Sequence, residues 1–222
     1  MAIQNPKSKI QNPSSPIFRP AIMLTLFFIV VLGFVFPAII WAISQAVFPF
    51  QANGSLIKDA KGNVIGSAII GQNFSKPEYF HPRPSAAGNG YDASNSSGTN
   101  LGPTSDKLIN GVHKKLPDGK DDPNNFDGID DLAKAYRAEN GLAADAEVPA
   151  DAVTRSASGL DPDISVANAN IQAVRVAKAR GMTVDAVKQL IAENTSDRFL
   201  GLYGEPRVNV LQLNLALDKA KP

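Results

Sequence analysis

Ala21-Ile-Met-Leu-Thr-Leu-Phe-Phe-Ile-Val-Val-Leu-Gly-Phe-Val-Phe-Pro-Ala-Ile-Ile-Trp-Ala-Ile43 decides the architecture of this chain. No Asp, Glu, Lys or Arg occurs anywhere from Pro20 to Ile57. As an α-helix, residues 21–43 extend about 35 Å, enough to cross a hydrocarbon core of about 30 Å with some tilt. The apolar core of a cleaved secretory signal runs to only about 7–15 residues. This run is longer and follows a polar lead, although Ser44-Gln45-Ala46 would serve as a small-residue cleavage site. A core helix of a small soluble domain would show a polar face, and this one has none. The stretch therefore reads as a membrane span. Pro37 inside it predicts a kink near Gly33–Pro37, tolerated better in a membrane than in water. Gly33, Pro37, Ala38 and Ala42 are the expected packing points for a neighbouring membrane helix. Trp41 falls where an interfacial aromatic belt would place it.

The flanks orient the span. Lys7, Lys9 and Arg19 precede it with no acid, whereas the first charge after it, Lys58, is balanced at once by Asp59. The positive-inside rule makes residues 1–20 a cytoplasmic tail, 21–43 the transmembrane helix, 44–54 a linker and 55–222 an extracytoplasmic domain. The tail, with Pro6, Pro13, Pro16 and Pro20 among Asn, Ser and Gln, has no means of building a core. Phe48 and Phe50 in the linker suit a membrane interface.

Bulk composition excludes several classes. The 222 residues carry a net charge of +1, with basic residues scattered, so nothing attracts nucleic acid. The absence of Cys removes disulfides, thiolate metal sites and a Cys nucleophile.

Downstream, Leu56-Ile-Lys58 and Val64-Ile65 flank Asp59-Ala-Lys-Gly-Asn63 and predict a β-hairpin, with Gly62 at a positive φ and a bulge at Gly66. Residues 72–105 form a Gly/Pro/Ser/Asn-rich run far longer than an ordinary loop. Its Phe74, Tyr79, Phe80 and Tyr91 argue for an ordered, packed segment, since disordered ones are poor in aromatics. Leu108, Ile109, Val112 and Leu116 predict a helix capped by Thr104 or Ser105. An acidic stretch, Pro117–Asp131, invites a calcium-loop reading, but each register puts Pro123 at a required Asp or Gly position. It reads as a solvated surface loop. Further helices are expected over Leu132–Asn140, Val148–Thr154, Ser165–Arg180 and from a Thr183 cap onwards. Val208 and Val210 alternate as in a strand, and Asn209 with Gln212 has capping spacing for a last helix. The expected fold class is thus a single N-terminal transmembrane helix plus an α+β extracytoplasmic domain.

Chemistry is sparse. His81 and His113 lack metal-pair spacing, so no metal site is expected. Ser156 or Ser158 could be drawn into a triad with His81 and an Asp, but no Gly-x-Ser-x-Gly elbow supports a catalytic reading. Ser156-Ala-Ser-Gly159 before Asp161-Pro162 fits a tight turn whose hydroxyls satisfy local backbone. Gly88-Asn-Gly90 and Gly201-Leu-Tyr-Gly204 lack phosphate-loop spacing. An anchored enzyme or binding protein without a pump partner stays open on the residues alone.

A resemblance covers most of the chain. Val64–Phe74, Tyr79–Ala86, Tyr91-Asp92, Ser97–Pro103, Val153–Ser165, Gln172, Arg175–Arg180 and Gly204–Asp218 resemble, in order, the C subunit of the Kdp-type potassium-transporting ATPase. The acidic segment 114–147 looks like an elaboration upon that pattern. The resemblance implies a bacterial inner-membrane complex with a potassium-channel-like subunit, a P-type ATPase subunit and a small single-span subunit. It implies a non-catalytic role in assembly and activity, described for the family as a catalytic chaperone raising ATP affinity. ATP enters only through that description, and its direct contact conflicts with the derived topology; potassium would be bound by the partner. Phe74, Tyr79, Phe80, Arg83, Tyr91 and Asp92 are the candidate partner contacts, and Ser156, Ser158, Gly159, Asp161, Gln172 and Arg175 the residues carried over from the family motifs.

Overall fold

The computed structural model describes residues 17–220. Most of the expected cytoplasmic tail, with Lys7 and Lys9, lies outside the described residues. The chain divides between Gly54 and Ser55 into two compact units.

The first unit is a helix from Phe18 to Val47, long and apolar enough to cross a membrane. It comprises α1 (Phe18–Val30), a π-helical turn (Val31–Val35) and α2 (Phe36–Val47). The apolar run predicted over 21–43 is therefore extended at both ends. At the expected kink the Phe36 N–H donates to Val31 O, five residues back. The wider turn falls just before Pro37, whose ring and missing N–H disfavour the regular i→i−4 ladder. The Gly33 Cβ position meets nothing within 4 Å, which leaves a notch bordered by Leu24, Phe28, Ile29 and Leu32. The predicted linker is largely helical: α2 runs to Val47 and α3 (Pro49–Ala52) follows, with the Asn53 amide donating to Gln45 Oε1 at 3.0 Å.

In the second unit β1 (Leu56–Lys58) and β2 (Val64–Ser67) form the antiparallel hairpin. The Asp59 carboxylate accepts from the N–H groups of Lys61 and Asn63, and Gly62 has φ +86°. Ile57 pairs with Gly66 and Lys58 with Val64, so Ile65 is the bulged residue. A Cβ on Gly66 would sit 2.0 Å from Gln72 Oε1 and 2.8 Å from the Leu211 side chain, so both side chains would have to shift to admit one. Then come α4 (Asp106–Asn110), α5 (Ile129–Asn140), α6 (Ala150–Val153), β3 (Asp163–Ser165), α7 (Val166–Arg180), α8 (Val184–Glu193), β4 (Thr195–Ser196), β5 (Arg207–Asn209) and α9 (Val210–Lys219). A second antiparallel sheet has the order β3-β5-β4.

Local chemistry explains these boundaries. Ser165 accepts from Asn168 N, Thr183 from Ala186 N and Asn209 from Gln212 N, each filling an N-terminal donor of the following helix. Gly141 and Gly181 close α5 and α7 in the left-handed conformation. The main core joins Ala173, Val176, Val187, Ile191, Val208, Leu213 and Leu217 from α7, α8, β5 and α9. A smaller cluster holds Ala133, Tyr136, Ala152 and Val153 from α5 and α6.

Two expectations are corrected. The helix predicted to reach Leu116 ends after one turn, at Gly111 with φ +81°. Val112 instead pairs with Phe126 and Lys115 with Asp121, so the acidic stretch is the return arm of a loose hairpin. Its last acids also belong to α5, which starts at Ile129 rather than Leu132: Asp131 Oδ2 accepts from Gly128 N at 2.9 Å, and an acidic first turn suits the helix dipole.

A Cβ on Gly128 would lie 2.3 Å from Gly111 N and 2.5 Å from Ile109 O, both backbone atoms, whereas one on Gly181 meets open space. Gly128→Ala should therefore destabilise the chain by about 3 kcal/mol through overpacking. Gly181→Ala should cost about 1 kcal/mol, from its backbone conformation alone. Denaturant unfolding of the detergent-solubilised chain, followed by circular dichroism, measures the difference.

Candidate functional site

The long segment after β2 contains no strand, and its one helical piece is a 3-10 turn at Ala93–Asn95. Its buried backbone groups must find partners elsewhere. Two buried carboxamides supply them. Asn214 on α9 accepts from Phe80 N at 2.8 Å and donates to Phe80 O at 3.0 Å. Gln172 on α7 accepts from His81 N at 2.7 Å and donates to His81 O at 3.0 Å. Each amide thus presents one donor and one acceptor, as a neighbouring strand would. The network continues inward. Gln172 donates to Asn168 Oδ1 at 2.9 Å, and the Tyr136 hydroxyl donates to the same oxygen at 2.8 Å. The Asn168 amide donates to Asp151 Oδ2 at 3.0 Å, which also accepts from Ser165 N at 2.7 Å. Burial, helped by the charge of Asp151, pushes the Tyr136 phenol above its ordinary range.

Arginines tie the same segment to α7. Arg175 donates to Pro77 O at 2.7 Å, Tyr79 O at 2.9 Å and Gln172 Oε1 at 2.7 Å. Arg180 donates to Glu78 O at 2.6 Å and Asp218 Oδ1 at 2.8 Å, with its guanidinium 4.9 Å from the centre of the Tyr79 ring. His81 faces two acceptors, Glu139 Oε1 at 2.7 Å from Nδ1 and Lys76 O at 3.0 Å from Nε2. Only the doubly protonated imidazolium donates to both. The hydrogen bond from His81 is the main cause holding the Glu139 carboxyl below its ordinary range.

The second half of the segment docks on the Ser156–Asp161 turn. Arg83 pairs with Asp161 at 2.8 Å and donates to Thr154 O at 3.3 Å. The Tyr91 hydroxyl donates to Arg83 O, and burial raises its phenol pKa. Ser85 Oγ donates to Gly159 O at 2.6 Å and accepts from the N–H groups of Ala87 and Tyr91. Ser97 N donates to Ser158 O at 2.9 Å. Gly159 has φ +69°, and a Cβ there would meet Ser97 O at 2.6 Å. Asp92 caps the adjacent turn, accepting from Ser94 N.

These contacts place the sequence candidates. Phe80, expected as a partner contact, is fully buried in the main core. Its side chain cannot touch a partner, a correction that follows from Asn214 gripping its backbone on the inside. Arg83 and Tyr91 are turned to internal bonds, while Phe74, Tyr79 and Asp92 are half-buried. Ser156 and Ser158 lie 3.4 Å apart by their hydroxyls, and Ser158 Oγ accepts from Leu160 N. Both ring nitrogens of His81 are committed elsewhere, so the conceivable triad is not assembled. Between the segment, α5 and α7 lies a cleft of about 300 Å³, lined by Phe74, His81, Tyr91, Tyr136, Glu139 and Gln172. Asn214, Asn168 and Asp151 were missed by sequence reasoning. Asn214 was detectable: it occupies a core position of α9 among Leu211, Leu213 and Leu217, where a lone polar residue needs a partner.

A family model described as the c chain of the K+-transporting ATPase, KdpC, matches residues 18–219. The chain belongs to the KdpC family. It is 51% identical over 204 residues to a potassium-transporting ATPase KdpC subunit of Caulobacter sp. (strain K31), covering 92% of this chain and 94% of that one. A subunit of the same name from Mycobacterium tuberculosis (strain ATCC 25618 / H37Rv) is 50% identical over 200 residues, covering 90% and 96%. The family match thus spans the apolar helix, the docked segment and the turn that receives it, so in this KdpC chain the network above belongs to the part shared with the family model.

Gln172→Leu should cost about 3 kcal/mol, because it leaves the N–H and C=O of His81 without their partner; thermal unfolding in detergent reads the loss. Glu139 is lowered from 4.5, so its contribution to stability is present above that value and fades as pH falls through the lower folded value. Glu139→Gln should flatten the decline of stability with pH below about 4.5, measured as melting temperature from pH 7 to 3.

Proposed function

We propose that this chain serves as a non-catalytic subunit of a potassium-transporting ATPase complex, anchored by Phe18–Val47 and holding residues 55–220 on the extracytoplasmic side of a bacterial inner membrane. The observation that carries the reading is the family match from residue 18 to 219, which includes both the helix and the docked segment. Support for the side comes from Lys7 and Lys9 ahead of the helix and Arg19 in its first turn, unopposed by acids. In this reading potassium selection and ATP hydrolysis belong to a channel-like and a P-type partner subunit, with a small single-span subunit completing the complex.

The chain's own part is to hold a preformed surface against its partners. The docked segment 72–103 is held for that, since Gln172, Asn214 and Arg175 bond its backbone at separate points and its own Arg83 side chain pairs with Asp161. Tyr79 and Phe74, whose rings lie 5.4 Å apart, are the half-buried aromatics left to meet a partner. Any chaperone effect on ATP affinity then travels through the membrane helix, because ATP acts on the cytoplasmic side. The open notch at Gly33, within the π-helical turn, is where that helix would seat a neighbour.

Purification through this chain from detergent-solubilised membranes should recover a large P-type ATPase subunit. Arg83→Ala should weaken that recovery and slow potassium uptake by freeing the Asp161 end of the segment. Recovery of this chain alone under mild detergent would overturn the reading.

A further inference from the structure

The chain carries four Asn-Gly pairs: Asn53-Gly54, Asn89-Gly90, Asn110-Gly111 and Asn140-Gly141. Such a pair can react with itself. The backbone nitrogen of the second residue attacks the carboxamide carbon of the first, and Gly, with no Cβ and wide backbone freedom, opposes that approach least. An N–C bond forms, the C–NH2 bond breaks, and the proton lost from the backbone nitrogen balances the one that leaves with ammonia. Water then opens the cyclic imide at either carbonyl, giving aspartate or isoaspartate. The sum is asparagine plus water to the acid plus ammonia, with no change of oxidation state. By sequence the four pairs are equivalent, so the fold has to separate them.

Three of the carboxamides are held. That of Asn53 donates to Gln45 Oε1 at 3.0 Å and to Pro49 O at 2.7 Å. That of Asn110 donates to Asp106 Oδ1 at 2.6 Å. Asn140 is buried, its amide donating to Tyr136 O at 3.0 Å and its Oδ1 accepting from Arg175 Nε at 3.2 Å. Each must give up these bonds before its carbon can turn toward the next nitrogen. Asn89 has nothing to give up. It lies in an exposed turn between Gly88, at φ +54°, and Gly90, at φ +103°. Its side chain makes no hydrogen bond to any described residue, and a Cβ on Gly90 would meet nothing within 4 Å. All four glycine N–H groups donate to a nearby carbonyl, that of Gly90 to Ala87 O at 2.8 Å. Opening that bond is a requirement common to the four pairs, so freedom of the carboxamide decides between them.

The position gives the reaction a structural consequence. Ala87 O also accepts from Asp92 N at 3.1 Å, and Ser85 Oγ accepts from Ala87 N and Tyr91 N. Ala87 lies against Gly159 in the joint with the Ser156–Asp161 turn. Isoaspartate inserts a backbone carbon between residues 89 and 90, inside this set of bonds. Either product also adds a carboxylate to a turn where Asp92 already sits against Gly88, and like charges at close range repel.

We propose that Asn89-Gly90 is a site of spontaneous deamidation and isomerisation, and that its isoaspartyl form loosens the joint between the docked segment and the Ser156–Asp161 turn. The full chain in detergent is aged at mildly alkaline pH and digested, and its peptides are sequenced by tandem mass spectrometry. Isoaspartate is read by methyl transfer from S-adenosylmethionine with an isoaspartyl methyltransferase. Residue 89 should convert severalfold faster than Asn53, Asn110 and Asn140, and the methyl label should concentrate there. Conversion at residue 89 no faster than at the other three overturns the site. In denaturant the spread among the four should narrow severalfold; an unchanged spread would trace it to neighbouring sequence and overturn the assignment from the fold. Asn89→Gln, whose longer side chain closes a less favoured ring, should lose the label while keeping its circular dichroism. After ageing, the wild-type chain should melt below the Asn89→Gln chain, and equal melting despite extensive isoaspartate overturns the loosening of the joint.

Discussion

Two side-chain amides hold this domain together. Gln172 and Asn214 sit on different helices, yet each clasps the backbone of one of two successive residues, His81 and Phe80. A segment with no regular structure could not otherwise be buried, because each unpaired N–H or C=O away from water costs about 1–3 kcal/mol. With the amides in place, Phe80 can enter the core and bring the helices α7 and α9 to a common seam. The remaining bonds build outward from that seam: Asn168, Tyr136 and Asp151 behind Gln172, and Arg175 and Arg180 along the flank.

The arrangement also accounts for residues that looked reactive. A histidine, two serines and several aspartates are enough to suggest hydrolysis on paper. In space His81 bridges Glu139 and Lys76 O, Ser158 satisfies Leu160 N, and Asp161 neutralises Arg83. Their charge and hydrogen-bonding capacity here fix one long segment against a short turn. Gly159 completes the joint, since its left-handed backbone and missing Cβ let Ser97 and Ala87 approach.

Membership of the KdpC family gives these contacts a setting in an ATP-driven potassium transporter. The two units then have different physical duties. The helix presents exposed apolar side chains and an open notch at Gly33. The domain has a polar hydrogen-bonded framework and leaves Phe199, Leu200, Leu202 and Tyr203 exposed, as it does Ile69 and Val174.

The amino-acid sequence by itself determined the apolar span, the hairpin with Gly62, the caps at Thr183 and Asn209, and the αL closures at Gly141 and Gly181. All of these follow from local rules: hydrophobic length, side-chain capping and backbone freedom. The aromatics of the long segment also signalled that it is packed. Only the tertiary structure decided what it packs against, because Phe80 and Asn214 are far apart along the chain and no spacing links them. It also cut the helix after Asn110, where Gly111 and pairing of Val112 with Phe126 outweigh helical periodicity. Exposure of Phe199–Tyr203 was hidden for the same reason: an apolar run reads as core until the fold shows that it is left outside.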